Sequence, residues 1–179
     1  IRGLGATSLP RAAVECLFIG PAGSVDQAGT ISDAEGRFAI RLVAPPPSSA
    51  LCSVIGPNGS VDAFRATPEE RINFTMPGAT GTLRILHSDQ RSNWDKYWLV
   101  SFDGRPVRLS AGPLIFARSR STMVIPALAA GRWRLITVET LQQFFALASG
   151  LGASLRAEAE FTLGAGTTET VQIGEVPAP

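Results

Sequence analysis

Aromatic and polar side chains crowd a short segment near the middle of the chain, where Trp94, Tyr97 and Trp98 lie beside Asn93 and Asp95. An exposed indole stacks on a sugar ring while neighbouring amide and carboxylate groups bind the ring hydroxyls. Trp98 falls inside a predicted strand and is expected in the core, whereas Trp94 precedes that strand and is expected at the surface. The predicted ligand site comprises Trp94, Asn93, Asp95 and Tyr97. The alternative is an aromatic strand edge that fills the seam between two domains.

Two cysteines raise the question of a disulfide. Cys16 shares a strand face with Val14 and Phe18, and Cys52 shares one with Val54, so both thiols are predicted to point into a core. If the two strands are neighbours, a disulfide between Cys16 and Cys52 is geometrically allowed and would stabilise the fold by about 3 to 4 kcal/mol. An oxidising compartment would permit it. Two buried free thiols, acting as small apolar side chains, are the alternative.

The remaining reactive side chains do not form a recognisable active site. His87 is the only histidine, and the serine and aspartate that follow it directly cannot converge with it as nucleophile, base and orienting group. One histidine and two distant cysteines cannot supply a four-ligand zinc site. The paired carboxylates Glu69 with Glu70 and Glu158 with Glu160 are predicted to be solvated, because no ligand loop surrounds them. We therefore expect no enzyme, no metal and no cofactor.

The composition excludes several classes of protein. The chain has 179 residues, of which 45% are hydrophobic and 17% charged, with a formal net charge of +1. Such a composition predicts a folded protein rather than a disordered one. Interspersed, balanced charges give no basic groove for nucleic acid, and no apolar run approaches the roughly 20 residues of a membrane helix. Neither nucleic acid nor membrane insertion of this segment is expected.

The first residue and the choice of basic residues point to the origin of the chain. It begins with Ile1 rather than Met, which predicts a processed or excised piece of a longer protein. Lys96 is the only lysine and the other basic residues are arginines, a bias typical of a GC-rich genome. We therefore expect a segment of a larger bacterial protein.

Short runs of alternating polarity, separated by 18 glycines and 13 prolines, predict an all-β fold. A hairpin is predicted at Asp33, which opens a turn, and Gly36, which supplies a positive φ before the strand at 37–43. A second hairpin turns at Gly59, and Pro126 separates two later strands. The other predicted strands are 13–19, 51–55, 60–64, 71–76, 82–87, 97–102, 106–110, 122–125, 133–138 and a final pair, 157–163 with 168–173, joined by a glycine-rich turn.

One short helix interrupts this pattern. Leu141, Phe144 and Phe145 recur at helical spacing, Thr140 is suited to cap the start, and Gly150 is suited to close the end. The segment from 77 to 81 has no periodicity and predicts a domain boundary. The expected architecture is two tandem antiparallel β-sandwiches, at 1–77 and 78–179, with the helix near 140–149 in the second.

The first half carries a family resemblance. Thr30, Asp33, Gly36 and Phe38 reproduce a Thr-x-x-Asp-x-x-Gly-x-Phe pattern that follows an apolar strand. Residues 8–76 thereby resemble the carboxypeptidase regulatory-like domain, a transthyretin-like β-sandwich. The strand start around Trp133 is similar to that family and to collagen-adhesin B-type repeats, which are Ig-like. The resemblance implies a non-catalytic module that acts as a spacer, a stabiliser, an adhesive unit or a binding platform.

These observations predict a non-enzymatic structural, adhesive or assembly module of a larger bacterial surface or periplasmic protein. Its expected partners are neighbouring domains or another protein, and its expected location is outside the cytoplasm. The alternative function is a carbohydrate-binding module that uses an exposed aromatic cluster around Trp94, with polysaccharide as the partner.

Overall fold

β-Strands make up most of the computed structural model, which describes residues 10–19, 25–40, 49–57, 59–66, 78–88, 94–109, 117–119 and 121–174. The all-β fold class is confirmed. The strands are β1 (Ala13–Ile19), β2 (Val25–Ile31), β3 (Ser49–Ile55), β4 (Ser60–Ala66), β5 (Thr80–His87), β6 (Tyr97–Ser101), β7 (Pro106–Arg108), β8 (Ala117–Arg118), β9 (Thr122–Ala129), β10 (Gly131–Thr137), β11 (Ala157–Leu163) and β12 (Thr168–Ile173). The helical elements are α1 (Leu141–Ala148) and two 3-10 turns, Trp94–Lys96 and Leu151–Ser154. No helix among the described residues is both long and apolar enough to cross a bilayer.

The strands form two sheets. The larger has eight strands in the order β12-β5-β9-β4-β3-β1-β2, with β8 beside β9, and the smaller has the order β11-β10-β6-β7. Pairing is antiparallel except between β12 and β5 and between β4 and β9. Strands from both sides of the predicted boundary at residue 77 thus share one sheet. The division into two tandem sandwiches stays a prediction.

A core lies between the two sheets. We call it the inter-sheet cluster: Ile55, Val61, Ala63, Leu83, Ile85, Trp94, Tyr97, Leu99, Val107, Leu109, Met123, Ile125, Leu128, Ala129, Trp133, Leu135, Leu163, Val171 and Ile173. It draws side chains from both sheets, as the alternating polarity of their strands predicts. The two layers therefore pack as a β-sandwich.

The helix covers the opposite side of the smaller sheet. We call its core the helix cluster: Leu17, Leu51, Trp98, Val100, Ile136, Phe144, Leu147 and Ala148. Helix α1 begins where predicted, since the Thr140 hydroxyl accepts a bond from the Gln143 amide at 3.2 Å and the Gln143 side chain accepts from the Thr140 amide at 3.0 Å. At its other end, Arg65 of β4 donates from Nη2 to the Leu147 carbonyl at 2.9 Å. The helix is therefore fixed to strands on both sides of residue 77.

A third core surrounds the two cysteines. We call it the disulfide cluster: Ala12, Val14, Cys16, Phe18, Ala50, Cys52, Val54 and Phe64. Phe38 and Ile40 pack against it. The predicted turn is confirmed, since Gly36 has φ +76° and donates to the Asp33 carbonyl at 3.0 Å. The strand predicted at 37–43 is wrong at 37–40, because this segment packs on the cluster, with the Phe38 ring 6.3 Å from the Phe64 ring, and pairs with no strand among the described residues. Residues 41–43 lie outside the described residues.

Both strands of the predicted final pair are present, but they lie in different sheets. β11 pairs with β10 in the smaller sheet, whereas β12 pairs in parallel with β5 in the larger. The glycine-rich turn docks on the start of β5, where Gly166 donates to the Thr80 carbonyl and Thr82 donates to the Thr167 carbonyl, both at 2.8 Å. A side chain at Gly81 would lie 2.5 Å from the Gly164 carbonyl oxygen, so glycine is required there. At this turn the chain passes from the smaller sheet to the larger one.

The sequence predicts that Pro126 separates two strands, but the proline lies inside one strand, β9. The β5–β9 register shifts between Gly81 and Leu83, opposite the proline, and Ala127 pairs with Ser60 of β4. A bulge tolerates a residue that has no amide hydrogen. The other predicted strands have counterparts among the described residues, including the β3–β4 hairpin, and the one at 71–76 lies outside them.

Candidate functional site

A groove lies between the start of α1 and the strands β1 and β2. Its volume is about 270 Å³. We call it the helix groove, and its lining residues are Leu17, Val25, Asp95, Trp98, Arg108, Val138, Glu139, Thr140, Leu141 and Phe144. Three of these side chains, those of Leu17, Trp98 and Phe144, belong to the helix cluster. The groove is therefore the place where that core reaches the surface.

Strand alternation decides which aromatic side chain lines the groove. Along β6, Tyr97 points into the inter-sheet cluster, and Trp98 points to the opposite face. The Trp98 ring packs against Phe144 at 5.9 Å between centroids. These two side chains are only 3% and 8% exposed, so they form the floor and present no open ring face.

The mouth of the groove is apolar. Val25 of β2 is 42% exposed, and Leu141 in the first turn of α1 is 51% exposed. Large apolar side chains with that much exposure are few among the described residues, and two of them line this one groove. The mouth therefore offers aliphatic surface that the fold itself does not bury.

Charged groups of both signs line the rim. Glu139 accepts a hydrogen bond from Lys96 Nζ at 2.7 Å, and this bond raises the pKa of Lys96. Arg108 donates from Nη1 to the Gln27 side-chain oxygen at 3.3 Å, and Gln27 in turn donates to Glu15. The rim thus sets the carboxylate of Glu139 and the guanidinium of Arg108 at a single opening.

Trp94 is not the exposed platform that the sequence predicts. It is 1% exposed, packs in the inter-sheet cluster, and donates from Nε1 to the Ser119 carbonyl at 3.1 Å. Its ring meets His87 edge-on at 6.1 Å. The reason is the 3-10 turn Trp94–Lys96, which rotates the indole into the core just before β6 begins. The prediction of an exposed Trp94 is therefore wrong.

Tyr97 stays beside Trp94, with 5.8 Å between their ring centroids, while Asp95 lies at a different site. Tyr97 is 4% exposed and lies in the core, where its hydroxyl is 2.7 Å from His87 Nε2. Asp95 lines the helix groove. Asn93 lies outside the described residues. Of the three predicted site residues that the structure describes, only Asp95 therefore reaches an accessible site.

The two cysteines form a disulfide. Cys16 of β1 stands directly opposite Cys52 of β3, with 4.1 Å between their Cα atoms. Both lie in the disulfide cluster. The bond closes a loop with a sequence separation of 36 residues, which is worth about 4 kcal/mol in the chain-entropy model.

A buried ion pair fixes the turn between β6 and β7. Arg105 Nη1 lies 2.6 Å from Asp62 Oδ2, and its guanidinium stacks 5.7 Å from the centre of the Trp133 ring. Burial raises the pKa of Asp62, and the neighbouring Arg105 guanidinium opposes that rise. The pair joins β4 to the smaller sheet and is a structural contact. No group of three or more potential metal ligands occurs within the described ranges.

Sequence reasoning missed most of the helix groove. Its lining comes from three distant parts of the chain, the β1–β2 pair, the segment from Asp95 to β7, and α1 with the segment before it, which meet only after folding. Leu141 is the groove residue that the sequence could have indicated. It is apolar and occupies the first position of a helix capped by Thr140, where an exposed residue is usually polar.

Comparisons with known proteins give no family. No family model matches the chain, and no curated protein matches it. Among solved structures it is similar to the Bacillus anthracis TIE protein, with 14% identity and a TM-score of 0.30. The match covers 94% of this chain and 31% of the TIE chain, so the present chain spans less than a third of that protein. A TM-score this low supports no inference about fold or function.

Proposed function

We propose that the chain is a non-enzymatic structural or assembly module of a larger bacterial protein at the cell surface or in the periplasm. The observation that carries the proposal is the disulfide between Cys16 and Cys52. Such bonds form and persist in oxidising compartments and are rare in the cytosol of mesophiles. The disulfide therefore supports a location outside the cytoplasm.

The use of the charged side chains supports a structural role. Arg105 and Asp62 join β4 to the smaller sheet, Arg65 binds the end of α1, and Lys96 binds Glu139 beside its start. Each contact connects elements that are distant in sequence. These groups serve to hold the fold together.

The family resemblance of residues 8–76 to the carboxypeptidase regulatory-like domain remains part of this proposal. Its support is the turn at Gly36, the apolar strand β1 that precedes it and the packing of Phe38 against the disulfide cluster. We do not propose carbohydrate binding by stacking on Trp94, because its indole is buried and hydrogen-bonded to the Ser119 carbonyl.

The proposal is tested in the bacterium that carries the gene, by fractionation and immunoblotting with an antibody against this chain. We expect an envelope-associated band clearly larger than a 179-residue polypeptide. Alkylation of the denatured protein should find no free thiol at Cys16 or Cys52 without reductant and two with it. The Cys16→Ala/Cys52→Ala variant is the control for the alkylation shift. A cytoplasmic protein with two free thiols would overturn the proposal.

A further inference from the structure

We propose that the helix groove is a docking site for an extended segment of a partner protein, one that inserts a single apolar side chain flanked by charged residues. This inference rests on the proposed assembly role, since it names the surface through which the module would bind. At this groove an internal core continues to the surface and ends in exposed aliphatic side chains.

The apolar floor and mouth select the inserted side chain. Leu17, Trp98 and Phe144 form the floor, while Val25 and Leu141 stand exposed at the mouth. A volume of about 270 Å³ accommodates one large apolar side chain with its backbone. Inserting it would bury the exposed valine and leucine and extend the helix cluster outwards, which is the main source of binding free energy for such contacts.

The rim charges select the flanking residues. Asp95 and Glu139 are contributed by the segments that precede β6 and α1, and Arg108 is contributed by β7. Lys96 is bonded to Glu139, so two carboxylates stand beside one ammonium group on the first side. A segment with a basic residue on the carboxylate side and an acidic residue on the Arg108 side is complementary to this arrangement. Complementary charges set the orientation of the segment and disfavour partners with the reverse order.

The exposures favour a protein segment over a saccharide. Sugar recognition by stacking needs an open aromatic face, and the rings of Trp98 and Phe144 are almost completely buried. The accessible apolar surface is aliphatic, from Val25 and Leu141. Such surface packs well against a leucine or phenylalanine side chain.

The test uses ¹⁵N-labelled full chain and defined tripeptides. The probes are Ac-Lys-Leu-Glu-NH₂ and Ac-Glu-Leu-Lys-NH₂, so that both chain directions are covered, together with the same peptides carrying Ser in place of Leu. We expect saturable shifts of the Val25, Thr140 and Leu141 amides with one leucine peptide. The serine peptides should bind at least about tenfold more weakly, because one buried apolar side chain contributes that much.

Matched variants locate the binding. Leu141→Ser removes the leucine at the mouth, whereas Leu151→Ser changes another exposed leucine, 60% exposed, that does not line the groove. We expect about tenfold weaker binding for the first and unchanged binding for the second. Arg108→Glu should transfer the preference to Ac-Lys-Leu-Lys-NH₂. Near-ultraviolet circular dichroism establishes that each variant keeps the native fold.

Three outcomes would overturn the inference. They are the absence of saturable binding by either leucine peptide, equal effects of Leu141→Ser and Leu151→Ser, and retention on a polysaccharide panel that Leu141→Ser abolishes. The last result would assign the groove to a saccharide. The thiol state and the envelope location are measured independently, so failure here leaves the proposed module role standing and failure there does not decide the groove.

Discussion

Trp94 combines a large apolar surface with one hydrogen bond that crosses to Ser119. We expect Trp94→Ala to lower the free energy of unfolding by about 3 to 5 kcal/mol, because it opens a cavity in the inter-sheet cluster. Trp94→Phe keeps most of the packing and removes the hydrogen bond to the Ser119 carbonyl, so we expect a loss of about 1 kcal/mol. Urea unfolding of both variants measures the difference. Losses below 0.5 kcal/mol in both, a range typical of surface positions, would show that this residue is not part of the core.

The ion pair between Arg105 and Asp62 predicts a pH-dependent effect. Arg105→Gln leaves the Asp62 carboxylate buried without its partner, and because Arg105 is 31% exposed we expect a loss of about 2 kcal/mol at pH 7, less than for a fully buried pair. Without the guanidinium the pKa of folded Asp62 rises further above its unfolded value. The folded variant then takes up a proton before the unfolded chain does, so the loss shrinks as the pH falls through that pKa.

Urea unfolding at a series of pH values from 7 downwards measures this effect. Arg132→Gln is the control, since Arg132 is exposed and stacks 4.0 Å over the Phe102 ring without an acidic partner among its described contacts. We expect its effect to stay within about 0.5 kcal/mol throughout the series. A loss in Arg105→Gln that does not change with pH would contradict the assigned role of Asp62.

Single residues were predictable where the strand period alone decides the environment. The burial of Cys16, Cys52 and Trp98 follows from alternation along β1, β3 and β6. Trp94 was not predictable in this way, because a 3-10 turn sets its direction and its partner Ser119 lies 25 positions away. The groove residues depend on such distant contacts throughout.

Helix α1 depends on its capping box at the level of the element. Thr140→Ala removes the hydroxyl that accepts the bond from the Gln143 amide, and we expect a loss of about 1 kcal/mol in the free energy of unfolding. Gln142→Ala, at an exposed position outside the core face of α1, is the control and should change the free energy of unfolding by less than about 0.5 kcal/mol. Guanidinium unfolding measures both. Equal effects of the two variants would mean that the cap does not limit helix stability.

Elements were predictable where their partner is the next element in sequence. The hairpin of β3 and β4 follows from a short glycine turn between two alternating runs, and Gly59 has φ +79°. β11 and β12 have equally clear patterns, yet they pair with β10 and β5, since docking of their turn on Thr80 separates them. Alternation identifies a strand, but its neighbour is decided by packing.

The shared cores predict how the whole molecule unfolds. Ile55, Val61 and Ala63 lie in the inter-sheet cluster, and Leu17 and Leu51 lie in the helix cluster, all packed against side chains that follow residue 78. We therefore expect a single calorimetric transition for the full chain. Excised segments 1–77 and 78–179 should lack that transition, because each exposes half of a core.

If the chain is instead divided into two sandwiches, as the sequence predicts, each excised segment should fold and unfold by itself. Two calorimetric transitions in the full chain, each reproduced by one excised segment, would establish two independent domains with a boundary near residue 77. Limited proteolysis gives a second measurement, since independent domains should be released by cleavage between 77 and 81.

The short parallel ladder between β4 and β9 determines how the larger sheet would bear load. Ser60 with Ala127 and Val61 with Leu128 are the two residue pairs that join β1–β4 to the other strands within the described part of the sheet, whereas β5 and β9 pair at six positions. Tension drawn across the sheet from β2 towards β12 would meet few backbone hydrogen bonds along this line. The side chains beneath it would carry most of the force. Under such tension β4 and β9 would therefore separate first, and the strands on each side of this line would stay paired with one another.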